Sequence, residues 1–283
     1  MVEQRSDPTA HTLDHHGWPT TKSGYRLDIV IGMGNFGIVW RAECLEGMHS
    51  GQTVAIKILD CGKFEDSSMA DLRRESAIMN ISRHRNIVCE HVAFVHANFL
   101  WIVMQIVDAG ACTDIMAITK AQSGTSGIQD EAIIATILRE TMHGLRYLHQ
   151  NDKIHRDIKA GNILMNMNGE VLLADFGVSA QMKKGIKQNT VCGSPCWMAP
   201  EVMQEQGHDT SADIWSLGIT MIELALGEAP LFQYPPMKVI RMILDQSPPT
   251  LPSRGWSDEF KALVNACLKK DPRERPSIDA LLI

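Results

Sequence analysis

At Asp108-Ala-Gly110 the hydrophobic period of this chain changes, and that switch limits what it can fold into more than any other feature. Before it, apolar runs at 26–31, 53–59 and 100–104 are short, β-branched and bounded by glycine or polar residues. Such runs predict strands. One helix is expected among them over 70–81, with Ser67 or Ser68 as its cap and Leu72, Ile78 and Met79 at helical spacing. After the switch, 129–150 sets Ile133, Ile134, Ile137, Leu138, Met142, Leu145 and Leu148 on a helical stripe. The stretch 212–226 is apolar nearly all round, which predicts a helix buried on every side. Further helices are expected at 235–245 and 258–269. The fold class is α+β: a small sheet-rich lobe, a short hinge and a larger helical lobe.

The boundaries follow from the same patterning. Residues 1–23 read as a flexible tail, 24–104 as the first lobe and 105–283 as the second. The tail is polar, carries Pro8 and Pro19, and clusters His11, Asp14, His15 and His16. A metal site is conceivable there, but mobile, solvated histidines are the simpler expectation.

Composition excludes several classes. The 283 residues are 45% hydrophobic and 21% charged, which suits a globular protein rather than a disordered or fibrous one. The formal net charge of -6 argues against nucleic-acid or anionic-membrane binding. Seven cysteines are scattered without a CxxC pair, so neither a disulfide framework nor a structural zinc is expected. A reducing compartment follows. The first 23 residues lack the apolar core of a secretory signal. No apolar stretch approaches the roughly 20 residues of a membrane span. A soluble, cytoplasmic protein is expected.

Four motifs carry the chemistry. Gly32-Met-Gly34-Asn-Phe-Gly37 lies between two strand patterns. Glycines there let the backbone approach phosphate oxygens. A plain glycine hairpin would look the same, and a dinucleotide fold would need a helix where 38–42 reads as strand. Val54-Ala-Ile-Lys57 puts a lysine in an apolar strand. It is either a snorkelling surface residue or a buried ammonium with a partner, for which Glu75 is the candidate. His155-Arg-Asp157-Ile-Lys159-Ala-Gly-Asn162 concentrates a carboxylate, an amine and an amide, able to accept a proton, steady a phosphate and hold a cation. Asp175-Phe-Gly177 follows the apolar run 171–174; alone it reads as a turn, beside Asn162 as half of a magnesium site.

In this order, and with Ala199-Pro-Glu201, the motifs resemble the eukaryotic protein kinase signature from about Tyr25 onward. The stretches 129–140, 174–180 and 195–203 are similar to the sterile-20 kinases of germinal-centre type, most of all to the Fray / oxidative-stress-responsive subgroup; Tyr234-Pro-Pro-Met-Lys-Val239 is too. The resemblance implies the two-lobed kinase fold and transfer of the ATP γ-phosphoryl group to serine or threonine hydroxyls of proteins.

It also implies roles. Gly32, Gly34 and Gly37 would cover the phosphates, and Lys57 would bind them and pair with Glu75. Asp175 and Asn162 would hold Mg2+, for which Mn2+ could substitute. Asp157 would orient the hydroxyl and take its proton, and Lys159 would neutralise the moving phosphate. Adenine would lie between Val39 and Ala55 on one side and Leu164 on the other, its edge against Gln105 to Val107, with Met104 as gatekeeper. Lys159 and Ser194 would suit a Ser/Thr enzyme. Thr190 is the implied activating phosphosite, with Arg156 as a cation for its phosphate. Asp213 and Trp215 would anchor the catalytic loop, and Glu201 would pair with Arg275 in a buried ion pair. Cys192 and Cys196 are expected to be small buried hydrophobes.

Protein substrates, an upstream activating kinase and a scaffold are the implied partners of a monomer or weak dimer. The chain stops at Ile283 inside what should be the last helix, so a truncated chain is expected. The rival readings are a pseudokinase, disfavoured because Lys57, Glu75, Asp157, Asn162 and Asp175 are all present, and a small-molecule kinase, disfavoured by the peptide-binding segment around Ser194 and Glu201.

Overall fold

The computed structural model describes residues 14, 16–34, 37–61, 84–174, 180–181, 195–205 and 207–283. The chain divides into two compact units, Met1–Arg83 with Val88–Val107, and His84–Ile87 with Asp108–Ile283.

The first unit holds an antiparallel sheet of β1 (Tyr25–Gly34), β2 (Gly37–Cys44), β3 (Thr53–Asp60), β4 (Glu90–His96) and β5 (Phe99–Met104), in the order β1-β2-β3-β5-β4. Alternation along the strands divides it into two faces. Ala42, Val54, Ile56, Phe94, Trp101 and Val103 lie on one, packed with Trp18, Tyr25 and Cys44. The other carries Val39, Lys57 and Ile102 in one cross-strand row, and Arg41, Ala55 and Met104 in the next. Sequence patterning missed β4, whose apolar run is only the four residues 92–95, flanked by His91 and His96. The helix expected over 70–81 lies outside the described residues.

Where a solvated tail is expected, Trp18 is 5% exposed. Its ring lies between two imidazoles, 3.7 Å from His49 and 4.2 Å from His91 between centroids, with both pairs nearly parallel. Asp14 turns the chain to deliver it, accepting from the Trp18 and His16 N–H groups at 2.6 and 3.1 Å. His49 Nε2 bonds the His16 carbonyl at 3.0 Å, and the Tyr25 hydroxyl donates to the Pro19 carbonyl at 2.8 Å. Aromatic burial thus draws this stretch onto the sheet. His11 and His15 lie outside the described residues. Among the described residues no group of three or more His, Cys, Asp or Glu is placed to hold a metal.

The second unit is mainly helical: α1 (Cys112–Ser123), α2 (Glu131–Gln150), α3 (Pro200–Met203), α4 (Ser211–Leu226), α5 (Pro236–Asp245), α6 (Asp258–Cys267) and α7 (Ile278–Leu281). Asp130 caps α2, its carboxylate accepting from the Ala132 N–H at 2.8 Å. The expected stripe of α2 is buried except for Ile133, which points outward. Along α4 every residue from Ala212 to Ala225 is buried, as its composition requires. The helix expected at 258–269 ends earlier, at Cys267, because Leu268 leaves the helical region. Patterning missed α1, which mixes β-branched Thr113, Ile115, Ile118 and Thr119 into its turns and stops at Gly124 with φ +74°.

Short strands complete the unit: β6 (Gly110–Ala111), β8 (Ile163–Met165) and β9 (Val171–Leu173) form one sheet, and β7 (Lys153–Ile154) pairs with β10 (Ala180–Gln181). The segment His84–Ile87 belongs here too. The Asn86 carbonyl accepts the Leu173 N–H at 2.9 Å, and its side-chain amide donates to Glu140 and to the Val171 carbonyl at 2.9 and 3.0 Å. Glycine is required opposite: a Cβ at Gly144 would stand 2.6 Å from the Asn86 oxygen. No helix among the described residues is long and apolar enough to cross a membrane.

Candidate active site

Residues 155–162 connect β7 to β8, and α4 holds them from beneath. The Asp213 carboxylate accepts the His155 N–H at 2.9 Å and the Arg156 N–H at 2.8 Å, while His149 Nε2 bonds it at 2.8 Å. These bonds fix Arg156 in the left-handed region, φ +72°, where a residue with a Cβ is strained. Burial alone would push the Asp213 carboxyl up. The His149 hydrogen bond, the two neighbouring imidazoles and the Arg156 N–H outweigh it, and the group sits below the ordinary carboxylate range. The Asp157 N–H donates to His155 Nδ1 at 3.2 Å. His155 Nε2 therefore carries the proton and donates to the Ala174 carbonyl at 2.9 Å.

On this frame Asp157, Lys159 and Asn162 meet. Asp157 is 2% exposed. Its Oδ2 accepts from Lys159 Nζ at 2.6 Å and from Asn162 Nδ2 at 3.0 Å. Asn162 Nδ2 also donates to the Asp157 carbonyl at 2.7 Å. Both amide hydrogens are thereby directed at Asp157, so the Asn162 Oδ1 is the oxygen left to face a ligand. Asn162 also accepts the Ala174 N–H on its carbonyl, at 2.8 Å, tying the loop to the end of β9. Leu164 follows on β8, half-buried, opposite Leu172 and Ala111.

Lys57 is buried in mid-sheet, so the snorkelling alternative does not hold. Val39, on β2, is its cross-strand partner, and Ala55 and Met104 share its face one row on. Gly34 pairs with Gly37 at the end of the β1–β2 hairpin, and Gly32 pairs with Val39. Gly37 tolerates no side chain, since a Cβ would stand 2.3 Å from the Ile58 carbonyl oxygen. Gln105 donates its N–H to the Cys89 carbonyl at 2.8 Å, followed by Ile106 and Val107. Glu75, Asp175, Thr190, Cys192 and Ser194 lie outside the described residues.

Beyond the loop, the expected Glu201–Arg275 pair is present and buried, with Nη1–Oε1 at 2.6 Å and Nη2–Oε2 at 2.8 Å. Cys196 is buried as expected. Sequence reasoning missed Ser216, Thr220 and Glu223 on α4, and Trp197 in the turn Pro195–Trp197. Glu223 accepts the Ala160 N–H at 2.8 Å and the Trp197 indole N–H at 2.9 Å. Burial pushes its carboxyl up, while these two donors and Lys159 oppose the shift. The available signal was the spacing of Asp213, Ser216, Thr220 and Glu223 on one face of an otherwise apolar helix.

Asp157 is thus a buried acid clamped by Lys159 and Asn162 on a loop that Asp213 anchors. The protein kinase domain family matches residues 25–283, and the chain belongs to it. It is 43% identical over 270 residues to the serine/threonine-protein kinase fray2 of Dictyostelium discoideum, covering 94% of this chain and 26% of that one. It is likewise 43% identical over 286 residues to germinal center kinase 3 of Caenorhabditis elegans, covering 94% of this chain and 47% of that one. With serine/threonine-protein kinase dst1 of Dictyostelium discoideum it shares 44% over 260 residues, covering 91% and 34%. These relatives bear out the sterile-20, germinal-centre grouping. The chain spans less than half the length of each of the three.

Proposed function

We propose that this chain is a serine/threonine protein kinase domain that transfers the ATP γ-phosphoryl group to hydroxyls of protein substrates. The observation that carries this reading is the Asp157 carboxylate, buried and held by Lys159 at 2.6 Å and Asn162 at 3.0 Å. In phosphoryl transfer the protein mainly positions groups and neutralises charge. Asp157 orients the substrate hydroxyl and accepts its proton as the O–P bond forms. Lys159 spreads the negative charge near that carboxylate.

The residues present fit the nucleotide and the metal. Magnesium prefers hard oxygen ligands, and the Asn162 amide oxygen, oriented by its own two N–H bonds, is one. Asn162 and Asp175 would hold the ion, which when bound neutralises phosphate charge. Val39, Ala55, Met104 and Leu164 would contact adenine, and the Gln105 carbonyl, whose own N–H is engaged with Cys89, would meet its edge. Gly32, Gly34, Gly37 and Lys57 would bind phosphates, with Glu75 steadying Lys57.

The reading extends to activation by phosphorylation at Thr190, a cytoplasmic setting, an upstream kinase and a scaffold; the support is the resemblance of the motifs and the place of Arg156 before Asp157. The test is labelling of a generic basic protein by the purified chain with Mg2+ and ATP. Asp157→Asn should lower turnover by about 10²–10⁴-fold, far more than any loss of folded fraction read from its unfolding midpoint. Equal labelling by both proteins would exclude Asp157 as the base, and no labelling by the parent would favour the pseudokinase alternative. Thr190→Ala should lower turnover of the phosphorylated protein without changing thermal stability, and unchanged turnover would remove the activation step.

A further inference from the structure

A cleft of about 470 Å³ opens in the helical unit, where the end of α1 and the turn after it meet the end of α4 and residues 228–233. None of its lining residues belongs to the catalytic loop 155–162. Two glycines set its shape. A Cβ at Gly127, φ +75°, would stand 2.3 Å from the Ala225 carbonyl oxygen, and one at Gly227, φ +84°, would stand 2.6 Å from the Gly127 nitrogen. The Ile128 N–H closes this contact on the Leu224 carbonyl at 2.8 Å. Both turns are therefore held in place before a ligand arrives, which lowers the ordering cost of binding.

The lining is apolar with a few charges, as ligand sites are. Ile222, Leu226 and Leu231 supply the apolar part. Leu226 is 39% exposed at the end of a helix otherwise buried from Ala212 to Ala225, and Phe232, next to Leu231, is 58% exposed. Glu228 and Lys120 are both exposed, and among the described residues neither forms an ion pair. Glu228 follows the C-terminal end of α4, whose partial charge is also negative, so this side of the cleft attracts a cation. Lys120 turns away a segment of unbroken positive charge. The cleft borders the turn Pro195–Trp197, in the segment read as the peptide platform. Helix α5 packs on that turn, and the Cys196 thiol there is pushed up by burial, against its own backbone hydrogen bond, with Glu223 and Glu228 adding to the shift. We propose that the cleft docks a segment of the protein substrate, taking a basic side chain on Glu228, an apolar one against Leu226 and Leu231, and an acidic one on Lys120. The proposal rests on the kinase reading and adds to it a docking determinant outside the catalytic loop.

The test uses the whole chain and a threonine acceptor peptide, alone or joined to a segment of repeating arginine, leucine and glutamate. The joined segment should lower the peptide KM by about tenfold, the scale of one hydrogen bond to a charged group, and leave the KM for ATP unchanged. Glu228→Lys should abolish that gain and Leu226→Gln should reduce it, both with the parental unfolding midpoint because both side chains reach solvent. Glutamine in place of arginine in the segment should abolish the gain on the parent as well. Fluorescence anisotropy of the labelled segment, without ATP, reads docking separately from turnover. An active parent whose KM gain survives Glu228→Lys overturns the docking proposal alone, and so does a segment whose Kd is the same for both proteins. A parent that phosphorylates no peptide yet binds the segment through Glu228 overturns the kinase reading and keeps the cleft as a peptide site.

Discussion

Arg275 meets Glu201 in a two-pronged pair across 74 residues of sequence, Nη1 to Oε1 at 2.6 Å and Nη2 to Oε2 at 2.8 Å, with both side chains buried. The guanidinium also donates from Nε to the Lys269 carbonyl at 2.8 Å and lies 5.2 Å from the Trp215 ring centre. Deleting one partner leaves an uncompensated buried charge, which destabilises by about 3–5 kcal/mol. Arg275→Ala should therefore lower the denaturant midpoint strongly. Arg275→Lys keeps the charge but loses the planar fork, and should fall between. Equal midpoints for the parent and Arg275→Ala would refute a structural role for the pair.

Trp18 should carry stability despite its place in a polar stretch. Removing a buried indole costs about 3–5 kcal/mol in a packed site. Trp18→Ala is expected to unfold earlier in chemical denaturation, with Trp18→Phe recovering part of the loss because a ring still stacks between His49 and His91. If Trp18→Ala unfolds with the parent midpoint, the stack contributes nothing.

Burial, with His49 alongside, pushes the His91 imidazole down to about 4, against a smaller upward pull from Asp14. In the unfolded chain it titrates at its ordinary value, about 6.5. Between those two values the unfolded chain binds a proton that the native chain does not, so stability declines as pH falls through that window and is complete above it. His84 and His208, also lowered by burial, act in the same direction. The unfolding free energy should drop from pH 7 to pH 5, and less steeply in His91→Phe. Parallel slopes would show that His91 does not contribute.

Asp213 offers two oxygens to the N–H groups of His155 and Arg156, and so keeps Arg156 at φ +72°. Asp213→Asn retains one acceptor and turns the other into a donor facing an N–H. A buried N–H left without a partner costs about 1–3 kcal/mol, and relaxation of Arg156 would displace Asp157 next door. Turnover should fall by more than the folded fraction does, measured as kcat beside the unfolding midpoint. A loss of turnover fully accounted for by unfolding would confine Asp213 to general stability.

What the sequence made legible was local or periodic. The 3.6-residue stripe of α2 and the all-apolar α4 announce themselves, because burial of a helix face leaves a repeat that can be read directly. The Gly37 requirement is legible too, although its cause, contact with the Ile58 carbonyl, is not. Long-range contacts stayed hidden. Glu223 meets Ala160 across 63 residues and Trp197 across 26, and nothing in the spacing of an apolar helix says which loop its polar face will meet. Trp18 stayed hidden for the opposite reason: one aromatic among polar neighbours has no period, and its burial is decided by two histidines from distant segments.

The placement of His84–Ile87 in the larger unit bears on how this chain can be cut. A fragment begun at Asp108 would omit Asn86, leaving the Leu173 N–H bare and Glu140 without its amide donor, while Gly144 would face an empty notch. The helical half is therefore not an excisable piece. A piece expressed from Asp108 should fold only with the four-residue plug supplied separately or spliced onto it.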